Sequence, residues 1–274
     1  MSRSNLKALL NFYWESKTIN SVHSPYLYKL LTHIFELRKT YYADTALETL
    51  RQKLKQDETV ITFEDHGAGS HKTSSSKLIQ KTVKTLAATS TSNVYKCRLL
   101  RNLTLYFRPK VIMELGTNLG LATSYLNAGS PEAELHTIEG AEPLYDLACN
   151  NFKELNIKVT AYLGLFDTVL HKVPEVLSRA DFVYMDGDHT YESTIKYFEW
   201  IWRAGPEKQV IVMDDINWSS GMRGAWNQIK RDYHCRTIDF YKLGLVIKDP
   251  ELTASDHIKF IPRILKPLSF GFFG

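Results

Sequence analysis

A chain of 274 residues is long enough to bury a full hydrophobic core, as one large domain or as one domain with an appendage. Its composition is that of a globular enzyme, with no low-complexity tract and no run of about 18 apolar residues able to cross a membrane, and the early charges Glu15 and Lys17 argue against a secretory leader. The net charge of +4 divides unevenly, with 18 Lys/Arg against 8 Asp/Glu in residues 1–110 and 16 against 22 in residues 111–274, yet the cations are scattered rather than interleaved with aromatics, so two complementary surfaces are expected before a nucleic-acid face.

Residues 1–58 read as helical. In "SPYLYKLLTHIFELR" Ser24 is the N-cap and Pro25 the first helical residue, followed by apolar residues at helical spacing. A second helix over 45–56 places Leu47, Leu50 and Leu54 on one side. Next come "TVITF", a glycine segment "FEDHGAGSHKTSSSK", and a Ser/Thr-rich run with a helix expected around 77–88. A further helix over 93–107 leads to Pro109.

Beyond Pro109 short apolar runs alternate with helical patterns. Strands are expected at 111–115, in "ELHTIEG", "KVTAYLG", "ADFVYMDGDH" and "KQVIVMDDI", with helices at 141–155, 166–178, 191–203 and 219–232 between and after them. Such alternation predicts βαβ units and a mainly parallel sheet covered on both faces. "RTIDFY", a "KLG" turn and "LVIKD" predict an antiparallel hairpin at the end, and residues 250–274 a docked tail.

Two glycine loops compete for a nucleotide-like cofactor. A site of that kind needs a strand, a glycine turn, a helix N-terminus and an acid at the end of the next strand. The loop at 114–120 has all four: Gly116 and Gly120 form the turn, a helix begins at Leu121, and Glu139 follows 23 residues after Gly116. "GAGSHKTS" has no strand-borne acid after it and does not match a phosphate loop. GTNLG lacks the third glycine of a pyrophosphate site. Glu114 would repel a diphosphate but suit a ligand with an ammonium group, as in S-adenosylmethionine.

The successive stretches "KVIMELGTNLGLATSYL", "LHTIEG", "DFVYMDGDHTYE" and "VIVMDDINWSSGM" resemble the motifs of class I S-adenosylmethionine-dependent methyltransferases, most of all the small-molecule O-methyltransferases related to catechol O-methyltransferase and a neighbouring bacterial class I group. The resemblance covers about residues 94–249. It implies a Rossmann-like α/β sheet, mostly parallel with an antiparallel C-terminal hairpin; residues 1–93 fall outside it and are expected to form a mainly helical extension or lid. It implies that Glu114, Gly116, Thr117, Asn118 and Gly120 hold the methionine portion and that Glu139, beside Gly140, takes the ribose hydroxyls. Leu165 and Phe166 would flank the adenine, and Asp186 would border the cofactor.

Asp186 ends the fourth strand of the series, and Asp214 and Asp215 end the fifth. Ligands of open α/β sheets lie beyond the carboxyl ends of strands, so these acids converge. Three neighbouring carboxylates repel unless protonated or bound to a cation, and Mg2+ or another divalent ion would resolve this. The catechol-type relatives place a metal here with an Asp-Asn pair after the fifth strand, whereas this chain has Asp-Asp, with Asn217 two residues on. His189 and Asp188, with Asp186, are the candidate catalytic residues, since a histidine is suited to act as a base near neutral pH. Against this, Asp188 could cap the helix starting near Tyr191.

The expected function is O-methylation of a small hydroxylated acceptor. "DGDH" stands where nucleobase amine methyltransferases carry [DN]-P-P-[YF], which makes nucleic acid an improbable partner. RNA or protein methylation through the basic N-terminal half, or a non-catalytic binding protein, are the alternatives. A cytoplasmic protein without membrane insertion is expected, with a homodimer left open, and Cys97, Cys149 and Cys235 form neither a disulfide framework nor a metal cluster. The turn carrying Glu64, Asp65, His66, Ser70 and His71 is left as a connector or as part of a lid that selects the acceptor.

Overall fold

The computed structural model describes residues 3–65, 77–89 and 93–266. Among the described residues five α-helices and a pair of strands precede the main sheet. Helix α1 (Arg3–Glu15) is followed by α2 (Pro25–Ile34), where Ser24 caps Leu27 N and Pro25 opens the first turn. Helix α3 (Tyr42–Leu54) buries Leu47, Leu50 and Leu54 as its spacing predicts. Strands β1 (Val60–Asp65) and β2 (Lys77–Thr82) pair antiparallel, followed by α4 (Val83–Thr89) and α5 (Val94–Phe107), whose N-cap is Asn93.

The helix expected over 77–88 is therefore a strand to Thr82 and a helix only from Val83. The alternation explains it: Leu78 is exposed while Ile79, paired with Phe63, faces the cluster of Leu50, Leu54, Val83 and Leu86. Period-two burial fits a strand and not a helix. The glycine turn that joins these strands lies outside the described residues from His66 onward.

The main sheet takes shape as expected. Strands β3 (Val111–Leu115), β4 (Glu134–Glu139), β5 (Thr160–Leu163), β6 (Phe182–Met185) and β7 (Gln209–Met213) run parallel. Every residue of β3, β6 and β7 is buried, as strands covered on both faces require. Between them lie α6 (Leu121–Gly129), α7 (Glu142–Glu154), α8 (Phe166–Lys172), α9 (Pro174–Leu177) and α10 (Tyr191–Ala204). The single helix expected at 166–178 is broken because Pro174 cannot continue the backbone hydrogen bonding and forces Val173 out of helical geometry.

Helix α11 (Ser220–Asp232) leads to β8 (Arg236–Asp239) and β9 (Gly244–Lys248), which pair antiparallel with each other, β9 also lying antiparallel to β7. In the segment expected to be only a docked tail, β10 (Asp256–Lys259) adds a parallel edge strand beside β8. The order is β10-β8-β9-β7-β6-β3-β4-β5. Helices α2, α5 and α6 cover one face and α8 to α11 the other. The order reverses at β3, whose neighbours are β4 and β6, and that switch point positions the site.

Candidate active site

The loop after β3 is shaped by one close approach. Gly116 has φ 102°, and a Cβ there would lie 2.0 Å from the Asp186 carbonyl oxygen, so only glycine lets this loop run against the end of β6. Asn118 takes φ 52°, and its amide donates to Glu139 Oε2 at 2.8 Å, while Ala141 N donates to Oε1 at 3.0 Å. Glu139 is thus fixed by the backbone at the end of β4 and borders the cavity together with Gly116, Asn118 and Gly140.

Three residues of this loop do not border the cavity. Glu114 is fully buried behind it, accepting hydrogen bonds from the hydroxyls of Thr123 and Thr137, and Thr117 shares a 2.6 Å hydrogen bond with Thr137. Burial pushes the Glu114 carboxyl up to about 8, with the two threonines opposing. Gly120 opens α6 with φ 75°, and the Phe152 ring lies where a side chain would go. Glu114, Thr117 and Gly120 therefore support the loop from beneath and are not among the residues lining the cavity. The side chain at a strand end points to alternate faces, and Glu114 points into the helix layer.

Leu165 and Phe166 border the same cavity, and the Phe166 ring packs edge-on against Tyr197 at 5.5 Å. Asp167 joins them, accepting from Tyr197 at 3.2 Å and pairing with Lys196. Asp186, Asp188, His189, Asp214 and Asp215 line the far wall. His189 Nε2 is 3.6 Å from Asp186 Oδ1. Burial pulls the His189 ring down, but the Asp186 carboxylate beside it outweighs this and leaves the pKa raised. The helix cap proposed for Asp188 belongs to Thr190, whose side chain accepts from Ser193 N; Asp188 instead takes a left-handed φ of 48°.

The charge problem posed by the three carboxylates is met by a residue that the sequence reading passed over. Lys96, on α5, reaches across so that its Nζ donates to Asp214 Oδ2 and lies 3.6 Å from Asp186 Oδ2. The Tyr184 hydroxyl donates to Asp186 Oδ2 at 2.8 Å and lies 3.4 Å from Asp214 Oδ2. Burial disfavours the charged form of Asp186, yet Lys96 and His189 hold its carboxyl well below the usual range. Asp214 goes the other way, up to about 8, through burial first and the Asp186 charge second, with Lys96 opposing.

This donor set does not fit a divalent ion. An ammonium group already contacts both carboxylates, and among the described residues no three His, Cys, Asp or Glu side chains converge closely enough to share a metal. One atom is left over, Asp214 Oδ1, buried and without a hydrogen-bond partner. Lys96 had a signal in the sequence: it heads the stripe Lys96, Leu99, Leu100, Leu103 at helical spacing, a cation on the inward side of α5.

The cavity, about 1600 Å³ in volume, exceeds the roughly 300–1,000 Å³ of common ligand sites. Beyond the polar strand ends it opens into a wing of Phe12 and Tyr13 from α1, Phe35, Trp218, Tyr241 and Phe260. Phe12 and Tyr241 pack ring to ring at 5.3 Å. The polar end suits a cofactor with ribose hydroxyls, since Glu139 borders it, Gly116 keeps its loop against the end of β6, and Gly187 leaves room for the Phe166 ring.

Residues 113–216 match a family model described as a methyltransferase domain. Among solved structures, the chain is similar to the O-methyltransferase from Bacillus cereus in complex with SAH, at 22% identity and TM-score 0.51, over 58% of this chain and 84% of that one. It is similar to the O-methyltransferase TomG from Streptomyces achromogenes in complex with SAM, at 18% identity and TM-score 0.50, over 58% and 82%. The SAH-bound methyltransferase PaMTH1 of Podospora anserina matches at 13% identity and TM-score 0.51, over 76% and 97%. No curated protein matches the chain by sequence. The structural likenesses bear on the fold, and the domain match runs from β3 to just past β7, where Glu139, Asp186, His189 and Asp214 stand. Residues 113–216 thus resemble a methyltransferase domain, and the sheet around them has the fold of these SAM- and SAH-bound methyltransferases.

Proposed function

We propose that this protein transfers the methyl group of S-adenosylmethionine to a hydroxyl oxygen of a small acceptor whose body is apolar. The observation that carries the reading is the convergence on one cavity of Glu139 from β4, Phe166 after β5, and the Asp186–His189 pair after β6, with an aromatic wing beyond them. S-adenosylmethionine, when bound, supplies an electrophilic methyl group on a sulfonium sulfur.

The chain's own residues do the rest. Glu139, held at the end of β4 by two backbone amides, would accept from the ribose hydroxyls. Leu165 and Phe166 would offer apolar surface to the flat base, with the Asp167 carboxylate beside them as the acceptor for its exocyclic amine. His189 takes the proton of the acceptor hydroxyl, and Asp186 orients the ring and stabilises the imidazolium that results. The aromatic wing desolvates the acceptor and holds it in line, where positioning supplies much of the rate.

Calorimetry with S-adenosylhomocysteine, the demethylated cofactor, tests the cofactor half directly. Wild-type protein is expected to bind it at micromolar concentration, and Glu139→Ala to bind it at least about tenfold more weakly, the loss of one or more charge-assisted hydrogen bonds. Equal affinity in the two proteins would remove Glu139 from the site, and no binding in either would refute the reading.

A further inference from the structure

Lys96 belongs to the helical segment before the matched domain, yet its ammonium lies among the carboxylates of the domain's own strand ends. It is only 17% exposed, its chain buried along α5 and its head in the cavity wall. It hydrogen-bonds Asp214, which is 2% exposed, and is within ion-pair distance of Asp186. A lysine placed merely for solubility would direct its charge to water. Here a partly buried cation faces two acids that a third element, β6, brings alongside through the Tyr184 hydroxyl.

We infer that Lys96 is the resident cation of this active site, standing in the place of a divalent metal between Asp186 and Asp214 and offering its remaining N–H donors to the acceptor oxygen. An ammonium group has three donors, and the bond to Asp214 uses one. His189 lies on the other side of Asp186, so an oxygen entering between Lys96 and His189 meets a fixed positive charge and a base at once. When His189 takes the hydroxyl proton, the developing negative charge on oxygen is balanced by the ammonium. The acceptor part of this inference rests on the proposed O-methylation, whereas the cation part does not.

Manganese reports on the cation part. Mn2+ is titrated into full-length wild-type protein and Lys96→Ala, with free Mn2+ followed by electron paramagnetic resonance. Wild type is expected to bind none below millimolar concentration. Lys96→Ala, which exposes the carboxylates, is expected to bind one equivalent at least tenfold more tightly, and Lys96→Ala with Asp214→Asn to lose that gain. Stoichiometric binding by wild type, or unchanged affinity in Lys96→Ala, overturns the inference; Lys96→Ser is run in parallel should the alanine variant not fold.

The acceptor part is read with 2,3-dihydroxynaphthalene as probe, in the presence of S-adenosylhomocysteine. Lys96→Ala is expected to weaken diol binding at least tenfold while EDTA leaves wild-type binding unchanged. Equal affinity in the two, no binding in either, or loss on chelation removes Lys96 from acceptor binding. Cofactor calorimetry on the same preparations reports separately: a wild type that binds no S-adenosylhomocysteine refutes the methyltransferase reading and leaves the manganese result standing.

Discussion

A carboxyl group without access to water is easier to bury with its proton on, and Glu114 meets that condition beneath the cofactor loop. Its pKa of about 8 in the folded protein compares with 4.5 in an open chain. Between those values the folded state holds a proton that the unfolded state has lost, so stability falls as pH rises through that window and levels off above it. Glu114→Gln cannot ionise and removes the slope. Thermal melts at pH 5, 6.5 and 8 should show the variant gaining on wild type as pH rises, and a difference constant across the three would contradict the assignment. Glu114 also marks a limit of reading residues from sequence. The strand-end acid was visible, but its orientation was not, because one residue of register decides whether a side chain meets ligand or core. Asp186, His189 and Asp214 were legible as a cluster from their place at the strand ends. The cation among them was not, since Lys96 lies 90 residues before Asp186 and only the packing of α5 brings them together.

Among the elements, the parallel series β3 to β7 was the most legible part because each strand is a short apolar run buried on both faces and separated from the next by a helix. The errors fell where local preference was weak. Lys77–Thr82 became a strand because β1 offered it a partner, and Asp256–Lys259 joined the sheet because β8 left an open edge. The last of these has a consequence for α1. Phe260 bridges to Lys17, and the buried Lys266 ammonium donates to the carbonyls of Trp14 at 3.1 Å and Ser16 at 2.7 Å. The C-terminal segment thus holds the end of the helix that supplies Phe12 and Tyr13 to the cavity. Lys266→Met leaves both carbonyls without this donor at a cost of about 2 kcal/mol. Amide hydrogen exchange near the end of α1 should speed up roughly thirtyfold, while β3 to β7 stay protected. Unchanged exchange at α1 would show that the lysine does not hold it.

At the scale of the whole molecule, the split between a basic first part and an acidic remainder acquires a structural meaning. Lys96 enters the acid cluster of β6 and β7, and Lys53 of α3 pairs with Glu154 of α7, so cations of the N-terminal segment meet acids of the sheet domain. The same junction frames the cavity: the sheet's strand ends give it polar groups, and α1, the Phe35 turn and the Phe260 edge give it an apolar wing. Among the described residues no helix is long and apolar enough to cross a membrane. An acceptor with a hydroxyl at one end and an apolar body at the other matches that division, and it can be sought with methyl-labelled S-adenosylmethionine, EDTA and a panel of hydroxylated naphthalenes and alkylphenols. Mass spectrometry of the products tests the central claim most directly. The expected result is a single labelled methyl group on oxygen, formed despite chelation and lost in His189→Ala. A methyl group on nitrogen or carbon, or no transfer to any member of the panel by protein that binds the cofactor, would contradict it.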